Sequence, residues 1–238
     1  MLNRMGVALV KWGRLGRLGR LGLAGLAMAG LGLVSAQEAG APKAPAAAPA
    51  VPVVRNIAPV FGQLVSFPLP RGFVPVFEET KDGFYIWEAV LAGETVDKWS
   101  QMLTMTGMRG LAANPNATPE SVVGNIVGGF QRTCPDTFIA MRLGIKQLNG
   151  QDAFGAVASC GVANPASAKA AQHSEAAMVI AIKGEKNYYT LQWAERGAAK
   201  QLKTAIDAQT WVPRFRQLEP ARLCAVVVGE AAPYPSCK

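Results

Sequence analysis

The chain holds a single histidine and no Asp, Glu or Cys among its first 36 residues, and charged side chains make up only 17% of it. Each shortage narrows the chemistry. One histidine cannot supply a His-rich metal centre, and with neither a C-x-x-C nor an H-E-x-x-H motif present, zinc-site and dithiol redox spacings are excluded. Walker, dinucleotide-binding, EF-hand and Gly-x-Ser-x-Gly patterns are also lacking, which removes the recognisable signatures of nucleotide, calcium and serine-hydrolase sites. No cofactor and no metal is expected.

The acid-free start has its own pattern. Arg4, Lys11, Arg14, Arg17 and Arg20 precede an apolar run from Leu21 to Val34, which stops at Val34-Ser35-Ala36. A basic region, a short apolar region and a small-x-small site read as a secretory signal peptide over residues 1–36, with the mature chain beginning at Gln37. A spanning helix needs about 20 apolar residues, and this run is broken by Gly22, Gly25, Gly30 and Gly32, so no stable membrane span is expected after cleavage. Without a cysteine behind the run or an Arg-Arg pair ahead of it, lipid attachment and twin-arginine export are disfavoured. The expected location is periplasmic or secreted.

Removal of that segment takes away five of the 24 basic residues and none of the 16 acidic ones, lowering the net charge from +8 to +3. The remaining Lys and Arg are scattered, without a basic stripe or interleaved aromatics, so nucleic acid is not an expected partner. Residues 37–59, with the run APKAPAAAPAVPVV, lack any apolar periodicity and read as a Pro/Ala-rich flexible linker. Residues 60–238 then read as one domain.

All four cysteines, Cys134, Cys160, Cys224 and Cys237, lie in that domain. In an oxidising compartment an even set implies two disulfides. Three connectivities are open; the preferred one joins 134 with 160 and 224 with 237, since Cys134 ends an expected helix near a strand and the last two bracket a short terminal segment.

Strands are expected at Gln63–Leu69, Phe73–Glu79, Phe84–Ala92, Thr137–Leu148, Ala153–Ala163, Ala176–Ile182 and Tyr188–Glu195, with turns at Lys81-Asp82-Gly83, Leu148-Asn149-Gly150 and Lys183-Gly184-Glu185-Lys186. Val96, Trp99 and Leu103 recur at helical spacing and predict a short helix over 95–103. Thr118 with Pro119 behind it marks the start of a second helix, striped by Val122, Ile126 and Phe130. A third is expected over Ala198–Val212, ended by Pro213. Strands joined by short turns pair antiparallel, so the order predicts an α+β fold, an antiparallel sheet packed against helices in a single domain.

The run Leu69-Pro70-Arg71-Gly72-Phe73 leading into hairpin strands, then a helix, further antiparallel strands and a C-terminal helix, resembles the α/β/α sandwich of the photosystem extrinsic subunit P-like and Mog-like proteins. The resemblance spans most of residues 60–215 as an order of elements. It implies an assembly factor or binding module and carries no binding residue onto this chain.

Few side chains stand out as candidates. Glu88 and Arg142 each sit among apolar residues on an expected interior strand, and are taken as a ligand-binding pair on one sheet face, either a buried ion pair or the polar floor of a groove. His173 lies in a polar connection, and Glu78-Glu79, being adjacent on a strand, point to opposite faces. Trp87, Trp99, Trp193 and Trp211 fall in periodic apolar segments, where core packing accounts for at least three of them. The function expected is an exported binding or assembly module without catalytic activity, acting on an envelope protein or a small ligand. The alternatives are an exported hydrolase with a site assembled from distant residues, and an envelope or host protein-interaction factor.

Overall fold

Strand residues far outnumber helical ones from residue 55 onward. The computed structural model describes residues 54–163 and 172–238, so the expected signal peptide and most of the expected linker lie outside the described residues. Eleven strands form: β1 Arg55–Val60, β2 Gln63–Pro68, β3 Phe73–Lys81, β4 Phe84–Leu91, β5 Gln101–Met108, β6 Phe138–Arg142, β7 Gln147–Leu148, β8 Gln151–Ala163, β9 His173–Lys183, β10 Tyr188–Ala198 and β11 Arg222–Ala225. Two α-helices accompany them among the described residues, α1 Pro119–Thr133 and α2 Ala208–Gln217.

The main sheet has eight antiparallel strands in the order β3-β4-β5-β10-β9-β8-β6, with β7 on β8, and a smaller one runs β1-β2-β11. This corrects the α+β expectation: the fold is predominantly antiparallel β, with helices as local covers. Along β4, Tyr85, Trp87 and Ala89 point to one face and Ile86, Glu88 and Val90 to the other. The first face holds the larger core. Leu103, Met105, Met178, Ile180, Leu191 and Trp193 pack there beneath Val60, Val65, Phe67 and Leu223 of the small sheet and Trp211 and Leu218 of α2 and its end. Phe67 meets Trp87 edge-on at 5.8 Å between centroids. The hairpin of β1 and β2 comes so close that a Cβ on Gly107 would lie 2.7 Å from Val60 Cγ1, so only glycine fits in β5 at that point.

The opposite face is partly covered by α1. Thr118 caps it: its Oγ1 accepts from Ser121 N at 3.0 Å, and Ser121 Oγ accepts from Thr118 N at 2.9 Å. Val122 and Val123 settle on a floor of small residues, Ala156, Ala177 and Ala181, which lets the helix axis approach the sheet closely. Tyr188 Oη donates to the Ala117 carbonyl at 2.7 Å, tying the start of the helix to β10.

Three local expectations are revised. The expected linker ends early, since Arg55–Pro59 belong to β1 and pair with β2. The helix expected over 95–103 is absent. Residues 94–100 turn back on themselves through reciprocal Thr95–Lys98 backbone bonds, and Glu94 accepts from Ser100 N and Oγ at 3.0 and 2.6 Å. Desolvation alone would raise the Glu94 carboxyl, but those bonds and further backbone bonds together hold it below its usual value. From Gln101 the period of 2 prevails, because β4 and β10 offer a partner on each side.

The last helix starts at residue 208 and not at 198. Asp207 is the stronger cap: Oδ1 accepts from Gln209 N at 2.9 Å and Oδ2 from Thr210 Oγ1 at 2.8 Å. Pro213 sits inside α2 and does not end it, while Leu202, within the expected helix, is 62% exposed. The segment ahead of α2 is laid across β8, where a Cβ on Gly161 would lie 2.4 Å from the carbonyls of Lys200 and Leu202.

Candidate functional site

Glu88 and Arg142 lie on one sheet face and in one cross-strand row, which runs Glu88, Thr104, Gln192, Val179, Ala156, Arg142 through successive registers. They are at opposite ends of it. Five strand spacings separate them, roughly 24 Å, so they share neither an ion pair nor a groove floor. Arg142 instead pairs with Glu120 in the first turn of α1, both side chains exposed, and its guanidinium lies 5.4 Å from the Phe154 ring. Glu88 is partly buried between Phe77 and Thr104 in register.

The cysteines form Cys134–Cys160 and Cys224–Cys237, each with 5.7 Å between Cα atoms. The first fastens the end of α1 to β8; the second fastens the C-terminal turn to β11.

A cleft of about 380 Å³ opens where β3, β4 and β10 meet α2, lined by Arg71, Phe73, Leu91, Gln101, Trp193 and Arg214 among others. Its geometry is set by Trp193. The indole Nε1 donates to Gln101 Oε1 at 3.0 Å, and the ring meets Phe73 edge-on at 5.2 Å. Arg214 is held over it by three contacts: an ion pair with Glu195, a bond from Nη1 to the Thr210 carbonyl at 2.8 Å, and stacking against Trp211 at 5.0 Å. None of Gln101, Glu195 or Arg214 was among the sequence candidates. The one signal available was the spacing of Trp211 and Arg214, three apart on a helix face.

Beside the cleft runs β3, an edge strand. Only Phe73 of its nine residues is buried, and Val74, Val76 and Phe77 are 40%, 37% and 40% exposed. Pro75 and a bulge between Pro75 and Phe77 interrupt its pairing with β4. At its far half Tyr85 Oη donates to Glu78 Oε1 at 2.8 Å; burial, and then that carboxylate, raise the phenol's pKa well above the ordinary value.

His173 opens β9. Its Nε2 lies 3.2 Å from Glu175 Oε2, which also accepts from Arg196 Nε at 2.9 Å. The Arg196 guanidinium in turn covers Trp99 at 3.7 Å. This is a cross-strand polar cluster that closes the end of the sheet face. Trp87, Trp193 and Trp211 are buried in the core, and Trp99 is the partly exposed one. Among the described residues no three His, Cys, Asp or Glu side chains converge as metal ligands.

No protein-family model and no curated protein matches the chain. Among solved structures, a protein from Bacteroides thetaiotaomicron is similar over 70% of this chain, with 8% identity and a TM-score of 0.36; this chain covers 46% of its length. LpqN of Mycobacterium tuberculosis, described as involved in cell envelope biogenesis, is similar over 72% of this chain and 91% of its own, with 11% identity and a TM-score of 0.35. Neither likeness bears on the activity of this chain.

Proposed function

We propose that the chain is an exported binding or assembly module of the cell envelope, without catalytic activity, that takes a segment of a partner protein along the Val74–Phe77 stretch of β3. The observation that carries this reading is β3 itself. An edge strand presents unpaired backbone groups, and soluble proteins blunt such edges with charge, proline and bulges. Here Glu78, Glu79 and Lys81 blunt the second half, while the first half offers three exposed apolar side chains beside a cleft. Pro75 and the bulge limit unregulated growth of the sheet and leave those side chains available. The Trp193–Arg214 cleft then receives a side chain of the bound segment.

Two disulfides support an extracytoplasmic location, because such bonds persist in oxidising compartments. The basic start of the chain supports export.

The test is retention of envelope proteins from native extract on the immobilised chain, comparing wild type with the V76D/F77D variant. The side chains altered are exposed, so the variant folds, as its thermal transition will verify. The expected result is a specific partner whose capture falls about tenfold or more in the variant, the loss typical of a central interface anchor. Equal capture by both chains overturns the assignment of β3.

A further inference from the structure

β11 leads out of the small sheet at the end of the molecule where several turns gather. Ala225 is paired with Gln63, the residue after the Phe61–Gly62 turn, so the chain beyond Ala225 projects past the sheet beside that turn. There it carries Val226, Val227 and Val228, which are 45%, 48% and 99% exposed. Glu230 N donates to the Val227 carbonyl at 3.1 Å and Gly229 has φ 82°, so Val228 stands at the apex of a β-turn. Turn apices favour Gly, Asn, Asp and Ser, whose side chains satisfy the local backbone; three successive valines serve neither the turn nor the core.

The apex is also braced. Cys224–Cys237 closes the loop, and the Glu230 carboxylate accepts from Ser236 N at 2.8 Å and from Ser236 Oγ at 2.5 Å. A braced loop loses little conformational entropy on binding.

Next to it lies a second cleft, about 400 Å³, lined by Phe61, Gly62, Arg109, Gly110, Lys186 and Asn187. Asn187 holds it together: Oδ1 accepts from Gly110 N at 2.8 Å, and Nδ2 donates to the Phe61 carbonyl at 3.0 Å. The Arg109 guanidinium lies 4.6 Å from the Phe61 ring centroid. Neither Arg109 nor Lys186 takes part in an ion pair among the described residues.

We infer that the Val226–Val228 apex and the Arg109–Lys186 shoulder together form a docking end for an anionic phospholipid surface. The apex is convex, and a lipid interface accepts a convex apolar tip without a matched cavity. The cations adjoin the base of that loop: Gln63, paired with Ala225, accepts from Glu185 N at 3.2 Å beside Lys186, and Arg109 lies over Phe61 of the neighbouring turn; long basic side chains reach phosphate headgroups readily. Three valines are far too small an area to hold a second copy of the chain. Asp82 and Glu185 on neighbouring turns, and Glu230 in the loop itself, temper the local charge, so the valines carry the affinity and the cations the preference for anionic lipid.

The experiment is flotation of the exported, processed chain with phosphatidylethanolamine vesicles containing phosphatidylglycerol, set against vesicles of phosphatidylcholine alone. The wild type is expected to float with the anionic vesicles. V228D, at a side chain with no burial to lose, is expected to reduce the bound fraction about tenfold. R109E/K186E is expected to abolish the difference between the two vesicle types. An absence of binding, or V228D binding as well as wild type, overturns the inference; an unaltered anionic preference in R109E/K186E overturns the role of the shoulder. Loss of a protein partner by V228D with lipid binding unchanged also overturns it, in favour of a protein pocket.

Discussion

Replacing Trp193 with Ala is expected to lower stability by about 3 to 5 kcal/mol, the range for removing a large aromatic from a well-packed site. Trp193 is 4% exposed and stands where β10, β5, β3 and α2 meet. Its loss removes the edge contact with Phe73 and leaves the Gln101 carbonyl without the indole donor that satisfies it. It also strips the apolar floor from beneath Arg214, so α2 loses its seat as well as a neighbour. Trp193→Phe keeps an aromatic ring against Phe73 while removing the indole N–H and part of the ring volume, and the expected cost falls to about 1 to 2 kcal/mol. Urea unfolding of both variants, read by midpoint at constant slope, gives the comparison. A W193A variant as stable as wild type would mean that α2 does not depend on this core.

Breaking the disulfides is expected to have an effect of similar size, spread differently. On the chain-entropy estimate, the separation of 26 residues for Cys134–Cys160 corresponds to about 3.5 kcal/mol, and that of 13 for Cys224–Cys237 to about 3 kcal/mol. Against a typical total of about 5 to 15 kcal/mol, losing both brings the domain close to its unfolding threshold. The two bonds also differ in reach. Cys134–Cys160 fastens α1 to β8, so its removal is expected to loosen the helix that covers the small-residue floor of Ala156, Ala177 and Ala181. Cys224–Cys237 braces the Val226–Val228 loop, so its removal is expected to weaken vesicle binding as well as lower the unfolding midpoint. Cys→Ala pairs, made singly and together, are followed by urea midpoint and by flotation. A double-pair variant within 1 kcal/mol of wild type would show that the staples are dispensable.

Most of the sheet was legible in the residues, for a local reason. Phe84–Ala92 is an almost continuous apolar run, the turns at 82–83 and 149–150 carry positive φ that few residues adopt, and Gly184 leaves room for the Gln63 side chain, so β3 to β4, β7 to β8 and β9 to β10 could be read off directly. Thr118-Pro119 marked α1 with equal economy. The errors fell where a tertiary partner overruled a local pattern. Val96, Trp99 and Leu103 do recur at helical spacing, but Gln101–Met108 also alternates, and the open edges of β4 and β10 decided between the two. Residues 198–207 have helical composition, yet Gly161 allows their backbone to lie flat on β8, where a side chain on that residue would forbid it. Each such difference moved residues from helix to strand or coil, and together they turned an expected α+β arrangement into a mostly β one.

The candidate site was less legible, because its members are joined by the fold and not by sequence spacing. Glu88 and Arg142 share a face and even a row, which the period of 2 revealed; the four strands inserted between them are a matter of sheet order, which no local pattern encodes. Arg214 found Glu195 and Trp193 across an element boundary in the same way. The exposed valines on β3 and at 226–228 are visible in sequence as apolar residues, but only the structure shows that they are left uncovered.

Export into an oxidising compartment underlies the proposed role, and one measurement tests it directly: the intact mass of the protein recovered from outside the cytoplasmic membrane, with and without reduction. The expected mass corresponds to a chain beginning at Gln37 and lacking four hydrogens, which return on reduction. A chain retaining residues 1–36, or one with four free thiols before reduction, would contradict it.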